Sequence, residues 1–123
     1  MTALRITDLA ALAGTTVRAL RYYEDLGLLE PQRSATRARY YPPDTAAIAR
    51  QIVDMRRLGI PVAAIAEALD GLKTDRPSLL ENLLLRRREE MEAEKAIMTG
   101  LLEQARQATA TRRSSTVAPG GAR

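Results

Sequence analysis

The apolar residues of the first thirty positions recur at helical spacing in two short segments. Four of them form the apolar stripe of the first segment: Ile6, Leu9, Ala10 and Ala13. The second segment runs from Thr16 to Leu26, where a threonine can cap the start of a helix and Gly27 can close its end. Because Gly14 separates the two segments, the pattern predicts a helix-turn-helix whose second helix is in the reading position.

The second predicted helix has two chemically different faces. Its apolar residues are Val17, Leu20 and Tyr23. Its polar residues fall at i, i+3, i+4 and i+7 and form one stripe, which consists of Arg18, Arg21, Tyr22 and Asp25. Two cations and a phenol on one face are what a nucleic-acid contact requires. Arg21 has two open roles, a DNA contact and an ion pair with Glu24 or Asp25.

A polar segment between two apolar stretches follows this helix. Leu28–Pro31 leaves the helical pattern, and Tyr40–Pro43 closes the segment. We interpret the segment as a short two-stranded wing, with three arginines around its tip: Arg33, Arg37 and Arg39. A loop held by a rigid scaffold can present such cations to the DNA backbone, and the alternative is a solvated surface loop.

These residues resemble the MerR family of bacterial transcription regulators over roughly the first seventy positions. The matching residues are Ile6–Ala10, Val17–Glu24, Gly27–Leu29, Pro31, Arg33, Arg39, Tyr41, Leu58–Ile60, Ile65 and Leu69. The run Arg-Tyr-Tyr-Glu at positions 21–24, followed by Gly-Leu-Leu, is the most specific part. Where the family usually has Gly-Tyr before the wing arginine, this chain has Arg37 and Ala38, which changes the expected wing turn.

Two further helices are predicted before the chain reaches a linker at Asp70–Asp75. Asp44 can cap the first of them, which runs from Thr45 to Leu58, and Pro61 begins the second, which runs to Leu69. The expected core positions of the first are Ile48, Ile52, Met55 and Leu58. Arg50, Arg56 and Arg57 lie off that stripe, on a solvated face or in contact with phosphate.

A long helix is predicted over residues 75–107, followed by a disordered tail over 108–123. The seam of this helix, meaning its apolar heptad positions, consists of Leu80, Leu84, Met91, Met98, Leu101 and Ala105. Arg87 and Glu94 interrupt the seam and are able to pair across a dimer. The resemblance implies an antiparallel two-helix dimer junction here, and the alternative is a helical hairpin within one chain, broken at Gly100.

Composition narrows the chemistry further. The 123 residues include no Phe, Trp, His or Cys, so a core of Ala, Leu, Ile, Val and Met favours close helix packing. The lack of Cys and His removes thiolate metal sites and the commonest general base, and we expect no metal, no cofactor and no enzymatic activity. No apolar run approaches the length of a membrane span, and we expect a cytoplasmic protein. Residues 1–57 hold nine Arg against six Asp or Glu, as phosphate binding favours.

The expected fold is mainly α, with a winged helix-turn-helix head at residues 1–72 and a long dimerisation helix that forms an antiparallel coiled coil. The expected function is that of a transcription regulator, which binds a palindromic DNA operator as a homodimer and, as the resemblance implies, distorts promoter DNA for RNA polymerase. One alternative is an architectural or excisionase-like DNA-binding protein. Another is a protein-interaction module that uses the long helix.

The hypothesis assigns roles to individual residues. Arg18 and Tyr22 enter the major groove, while Thr15 and Thr16 lie near a phosphate at the helix N-terminus. The wing arginines Arg33, Arg37 and Arg39 contact the backbone. Two roles are open for Tyr41, core packing and a hydrogen bond to phosphate.

Overall fold

The computed structural model describes residues 3–33 and 39–117. Within these residues the elements are α1 (Ile6–Ala13), α2 (Val17–Asp25), β1 (Gln32–Arg33), β2 (Arg39–Tyr40), α3 (Thr45–Arg57), α4 (Val62–Leu72) and α5 (Ser78–Val117). The strands β1 and β2 pair in an antiparallel ribbon, which we call the wing. The chain divides into two compact units, Met1–Leu84 and Leu85–Arg123. A mainly helical chain with a small wing confirms the predicted fold class.

Aliphatic side chains from α1 to α4 and their connections form the core of the first unit. The largest fully buried side chains are Leu9, Leu20, Tyr41, Ile52, Ile60 and Ile65. Helix α1 packs on α3, and the short side chains of Ala13 and Ala49 are fully buried. Removing a large aliphatic side chain from water contributes about 1.5–3 kcal/mol, so these residues supply much of the stability of the unit.

Helix α3 differs from its prediction in which residues it buries. Ile52 and Met55 are buried as expected, but Ile48 is 43% exposed and Leu58 is 40% exposed. Ile48 borders an open groove of about 460 Å³ that Leu26 and Leu72 also line, so the side chain is only partly covered. Leu58 is the residue after the last helical turn and so leaves the helical register.

The start of α3 also differs from its prediction. The Asp44 side chain makes no capping hydrogen bond, and its backbone is already helical, with φ −68° and ψ −16°. The Thr45 N–H instead donates to the Pro42 carbonyl at 3.0 Å. A preceding turn through Pro42 and Pro43 therefore supplies the acceptor that we expected from the aspartate.

The predicted linker is shorter than expected because α4 continues to Leu72. Gly71 is buried where the chain turns from α4 to α5, and a Cβ atom there would lie 2.5 Å from the Arg76 carbonyl oxygen. The first turns of α5 belong to the first unit, since Leu80 and Leu83 pack against its core. Leu80, predicted as a dimerisation residue, is thus partly buried within its own chain.

Helix α5 begins at Ser78 and continues for 40 residues to Val117. The predicted end near Gln107 and the predicted disorder of residues 108–117 are therefore wrong, while residues 118–123 lie outside the described part of the chain. Neither glycine nor proline occurs between Gly100 and Pro119, so nothing in the sequence stops the helix earlier. The helix is also continuous through Gly100, and the alternative of a hairpin broken there is wrong.

Two glycine substitutions test the close approach at Gly71. Gly71→Ala should lower the free energy of unfolding by about 1–3 kcal/mol, because the new methyl group meets a backbone oxygen that cannot move away cheaply. Gly100→Ala is the matched control, since apart from the neighbouring residues and backbone of its own helix no described atom lies within 4 Å of that Cβ position, and alanine favours a helix by about 1 kcal/mol. Urea unfolding at one protein concentration measures both. Equal stabilisation by the two alanines would contradict the tight turn.

Candidate nucleic-acid interface

The turn between α1 and α2 is held from two sides. Gly14 has a left-handed backbone, with φ 71°, and its N–H donates to the carbonyls of the last turn of α1. From α3, the Arg57 Nη2 donates to the Gly14 carbonyl at 3.0 Å. Since a side chain would strain the left-handed conformation, the sequence position of this glycine sets where α1 stops and where α2 can begin.

Helix α2 is capped at its start and anchored along one face. The Thr16 Oγ1 accepts a hydrogen bond from the Ala19 N–H at 3.1 Å, as the sequence predicted. Leu20 and Tyr23 are buried in the core, and the helix closes at Gly27, where φ is 76°. Capping and burial together fix the rotation of α2, so its remaining face points outward.

The outward face carries the predicted polar stripe. Arg18 and Arg21 are exposed, and Tyr22 is 51% exposed, with its ring 6.1 Å from the buried ring of Tyr23. Within residues 3–33 and 39–117, neither arginine forms an ion pair or a side-chain hydrogen bond. The alternative role for Arg21, an ion pair within α2, is therefore wrong, and the whole stripe faces solvent.

The wing lies next to α2 in the chain and is pinned at its base. Gln32 pairs with Tyr40 and Arg33 with Arg39, which confirms the predicted two-stranded wing, while Arg37 lies outside the described residues. Beyond β2, Tyr41 exchanges two backbone hydrogen bonds with Leu4, at 2.8 and 2.7 Å. The N-terminal segment thus holds the wing strand against the first unit.

Glu24 connects α2 to the wing. Its side chain is only 7% exposed; Oε1 accepts a hydrogen bond from the Arg39 Nη1 at 3.1 Å, and Oε2 accepts one from the Tyr41 hydroxyl. Tyr41 is fully buried. Of its two open roles, core packing and a hydrogen bond to phosphate, the structure therefore supports core packing, and we remove Tyr41 from the candidate DNA contacts. The Arg39 side chain remains 47% exposed although it is ion-paired.

Sequence reasoning missed the structural role of Glu24. One signal was available, because Glu24 follows the buried Leu20 by four residues and so lies close to the core face of α2. A carboxylate at such a position needs a donor. The identity of the donors could not be predicted from helical spacing, since they lie 15 and 17 residues further along the chain.

The three arginines of α3 make local contacts. Arg50 pairs with Asp54 at 3.5 Å, and Arg57 contacts both Asp54 and the Gly14 carbonyl. Arg56 donates to the Ile60 carbonyl at 2.9 Å just after the helix ends. Each has a structural partner, and we leave all three out of the candidate interface.

The second unit presents apolar side chains to solvent along α5. The large ones that are exposed are Leu85, Met91, Ile97, Met98, Leu101 and Leu102. The Arg87 Nη1 and Nη2 donate to the Glu94 carboxylate at 3.1 and 3.4 Å, and Nη1 also meets Glu90 at 3.4 Å. These hydrogen bonds raise the pKa of Arg87 above its usual value, and the bond to Glu94 has the largest effect. Arg87 and Glu94 therefore pair within one helix, whereas we had considered a pair across a dimer.

Residues 3–33 and 39–117 contain no group of three or more Asp, Glu, His or Cys side chains arranged to hold a metal ion. No helix in the same ranges combines the length and the apolarity that crossing a membrane requires.

Comparison with known proteins agrees with this geometry. The model of the MerR HTH family regulatory proteins matches residues 4–72. The HTH-type transcriptional regulator CueR of Bacillus subtilis is 41% identical over 67 residues, which are 54% of this chain and 47% of CueR. The chain thus spans about half the length of that curated relative.

Two solved structures extend the comparison along the chain. The transcriptional regulator SkgA of Caulobacter crescentus is 28% identical, with a TM-score of 0.59 over 85% of this chain and 76% of that chain. HiNmlR, a MerR family regulator that lacks the sensor domain and is bound to promoter DNA, shares the fold at 22% identity, with a TM-score of 0.64 over 83% of this chain and 86% of that chain. The winged helix-turn-helix fold and the family match agree: this chain belongs to the MerR family of helix-turn-helix regulatory proteins.

Proposed function

We propose that this protein is a sequence-specific DNA-binding transcription regulator that acts as a homodimer on a palindromic operator. The observation that carries the proposal is the outward face of α2. Arg18, Arg21 and Tyr22 are exposed there on a helix whose opposite face is fixed by the buried Leu20 and Tyr23. A rigid helix that presents unpaired cations and a phenol has the chemistry of a major-groove reader.

The dimensions of α2 suit a major groove. Nine residues give a helix about 14 Å long, and the groove is about 12 Å wide, so the outward residues near the start of α2 can reach base edges. Arg18 would donate to the acceptors of guanine, and Tyr22 would contact a base or the adjoining phosphate. Thr15 and Thr16 lie at the N-terminus of α2, where exposed N–H groups attract a phosphate. Arg21 would contact the backbone beside the groove.

The wing would contact the DNA backbone beside that groove. Arg33 is exposed on β1 and forms no ion pair with any described residue. Arg39 is half-exposed, and Arg37, which the sequence placed at the wing tip, adds a further candidate cation. Contacts of this kind position the protein on DNA without reading its sequence.

The dimer would form along α5. Met91, Met98 and Leu101 recur at heptad spacing on exposed helix surface, together with Leu84 and Ala105. An antiparallel pair of these helices would bury that seam, and two-fold symmetry would give two α2 helices for two half-sites. The partner is thus a second copy of this chain, with double-stranded DNA as the ligand of both.

Promoter distortion would follow from holding two half-sites on one rigid dimer. Bending and untwisting the DNA between them costs several kcal/mol, and contacts from two wings offset that cost. If the spacer between the two promoter elements is too long, this distortion would let RNA polymerase engage both elements at once. An architectural protein would bend DNA equally but would not switch transcription. Transcription in vitro from a promoter that carries a duplex selected by this protein from a random pool separates the two functions. An interaction module would bind no DNA at all.

Substitution of the outward residues tests the reading face. Arg18→Ala and Tyr22→Ala should each weaken binding to the selected duplex by about 1–3 kcal/mol and leave the unfolding curve unchanged, because both side chains are exposed. Arg106→Ala is the control, since it removes the same charge from a highly exposed site in the second unit. Fluorescence anisotropy with selected and random duplexes measures the difference. Wild-type affinity in both variants would refute the assignment of α2.

Charged substitutions on α5 test the dimer. Met98→Asp combined with Leu101→Asp should give a monomer in light scattering and lower operator affinity, because two linked half-sites become independent. Thr99→Asp, which adds a charge at a heptad position outside the seam, should leave the dimer intact. A second route is a chain that ends at Leu84, which retains the first compact unit. If the double aspartate variant and the chain that ends at Leu84 both remained dimers, α5 would be excluded as the interface.

Energy transfer between dyes at the two ends of an operator duplex tests the distortion. Binding should shorten the distance between the ends, because the uncontacted centre bends away from the protein. Operators with flexible pyrimidine-purine steps at the centre should bind more tightly than operators with a stiff centre of the same length. Unchanged transfer in the saturated complex would leave occlusion of the promoter as the mechanism.

A further inference from the structure

We infer that Glu24 is a positioning residue that gives the two described wing arginines different tasks. It pairs with Arg39 and so holds the wing against α2, and of these two arginines the pairing leaves Arg33 as the one whose charge is available to phosphate. The inference rests on the proposed DNA binding and adds to it a division of labour within the wing. Three observations support it: the strand register, the burial of Glu24 and the partners of each arginine.

The register of the wing brings two positive charges together. Arg33 and Arg39 are direct partners across the antiparallel pair, and directly opposed residues project from the same face. Like charges in this position repel, and each strand of the wing has only two residues with which to resist. A negative charge at one of the two cations therefore reduces this repulsion and favours the paired strands.

Glu24 supplies that charge from the recognition helix. The carboxylate is 3.1 Å from Arg39 and also accepts the Tyr41 hydroxyl hydrogen bond. Arg39 and Tyr41 are two residues apart, so they project to the same side of an extended chain, and both reach one buried carboxylate. A slip of one residue would present Tyr40 in their place, so Glu24 also selects the register of the wing.

The two arginines differ in what remains available to DNA. The charge of Arg39 is largely compensated by a carboxylate that is 7% exposed. Arg33 forms no ion pair with any described residue, and its side chain is exposed. We therefore expect Arg33 to release counterions on binding, and Arg39 to act through the position of the wing.

Glu24→Gln distinguishes positioning from simple electrostatics because the two predict opposite signs. Removing a negative charge beside a DNA-binding face should strengthen binding if charge alone matters. If Glu24 positions the wing, the same substitution should weaken binding to the selected duplex about tenfold and lower the salt slope by about one unit, because the Arg33 contact is lost. Asp25→Asn is the matched control: it removes the same charge from the next residue, whose exposed carboxylate pairs with no described residue.

A second substitution shows whether the effect passes through Arg33. Arg33→Ala alone should lower the salt slope by about one unit. In the Glu24→Gln background the Arg33→Ala substitution should have almost no further effect on the salt slope. Within the described ranges no hydrogen bond or ion pair links Glu24 and Arg33, so such coupling would pass through the position of the wing. Additive losses, or a Glu24→Gln variant that binds as Asp25→Asn does, would overturn the inference.

Arg39→Gln removes the other partner of the ion pair between Glu24 and Arg39. It replaces Glu24→Gln as the test if that variant does not fold. It should also make Arg33→Ala nearly silent, and thermal unfolding of each variant confirms that the first unit remains folded. The probe is a duplex that the wild-type full chain selects from a random pool, with a random duplex for comparison. Failure of the wild type to enrich any sequence would refute the proposed function, whereas enrichment with additive variants would refute only the role of Glu24.

Discussion

Burial of Leu20 and Tyr23 is the constraint on which the rest of the first unit depends. These two side chains turn one face of α2 into the core, and the Thr16 cap and Gly14 turn place the start of the helix. The orientation of Arg18, Arg21 and Tyr22 is a consequence of that burial and requires no interaction of its own. The exposed residues can therefore stay without protein partners, because burial of the opposite face offsets the conformational entropy that is lost when the helix is ordered.

The wing depends on a different kind of interaction. Its two-residue strands bury little apolar surface, so its position comes from polar contacts made at its base. Backbone bonds to Leu4 and the buried carboxylate of Glu24 provide these contacts, and both act on β2 or on the residue that follows it. The described part of the wing is consequently held against the first unit through β2, while Arg33 on β1 is exposed.

The second unit is stabilised by helix propensity and side-chain pairs along α5. Arg87 forms two such pairs, with Glu90 and with Glu94, and these pairs partly neutralise three charges that lie beside the apolar positions. Exposed apolar side chains over several turns are costly for a single chain in water. This is the physical reason for expecting a second copy on that surface.

Local sequence determined that the five helices form, the glycine turns that follow the first three of them, the Thr16 cap and the outward stripe of α2, because each depends on residues within about four positions of one another. Tertiary structure alone decided the burial of Tyr41, the partners of Glu24 and the exposure of Ile48, since these depend on surfaces brought together from distant parts of the chain. At the end of α5 the local prediction was wrong although no tertiary contact among the described residues was involved. The lack of apolar periodicity and the Pro-Gly-Gly near the end suggested disorder from residue 108, whereas the helix continues to Val117 because its backbone hydrogen bonds need no core.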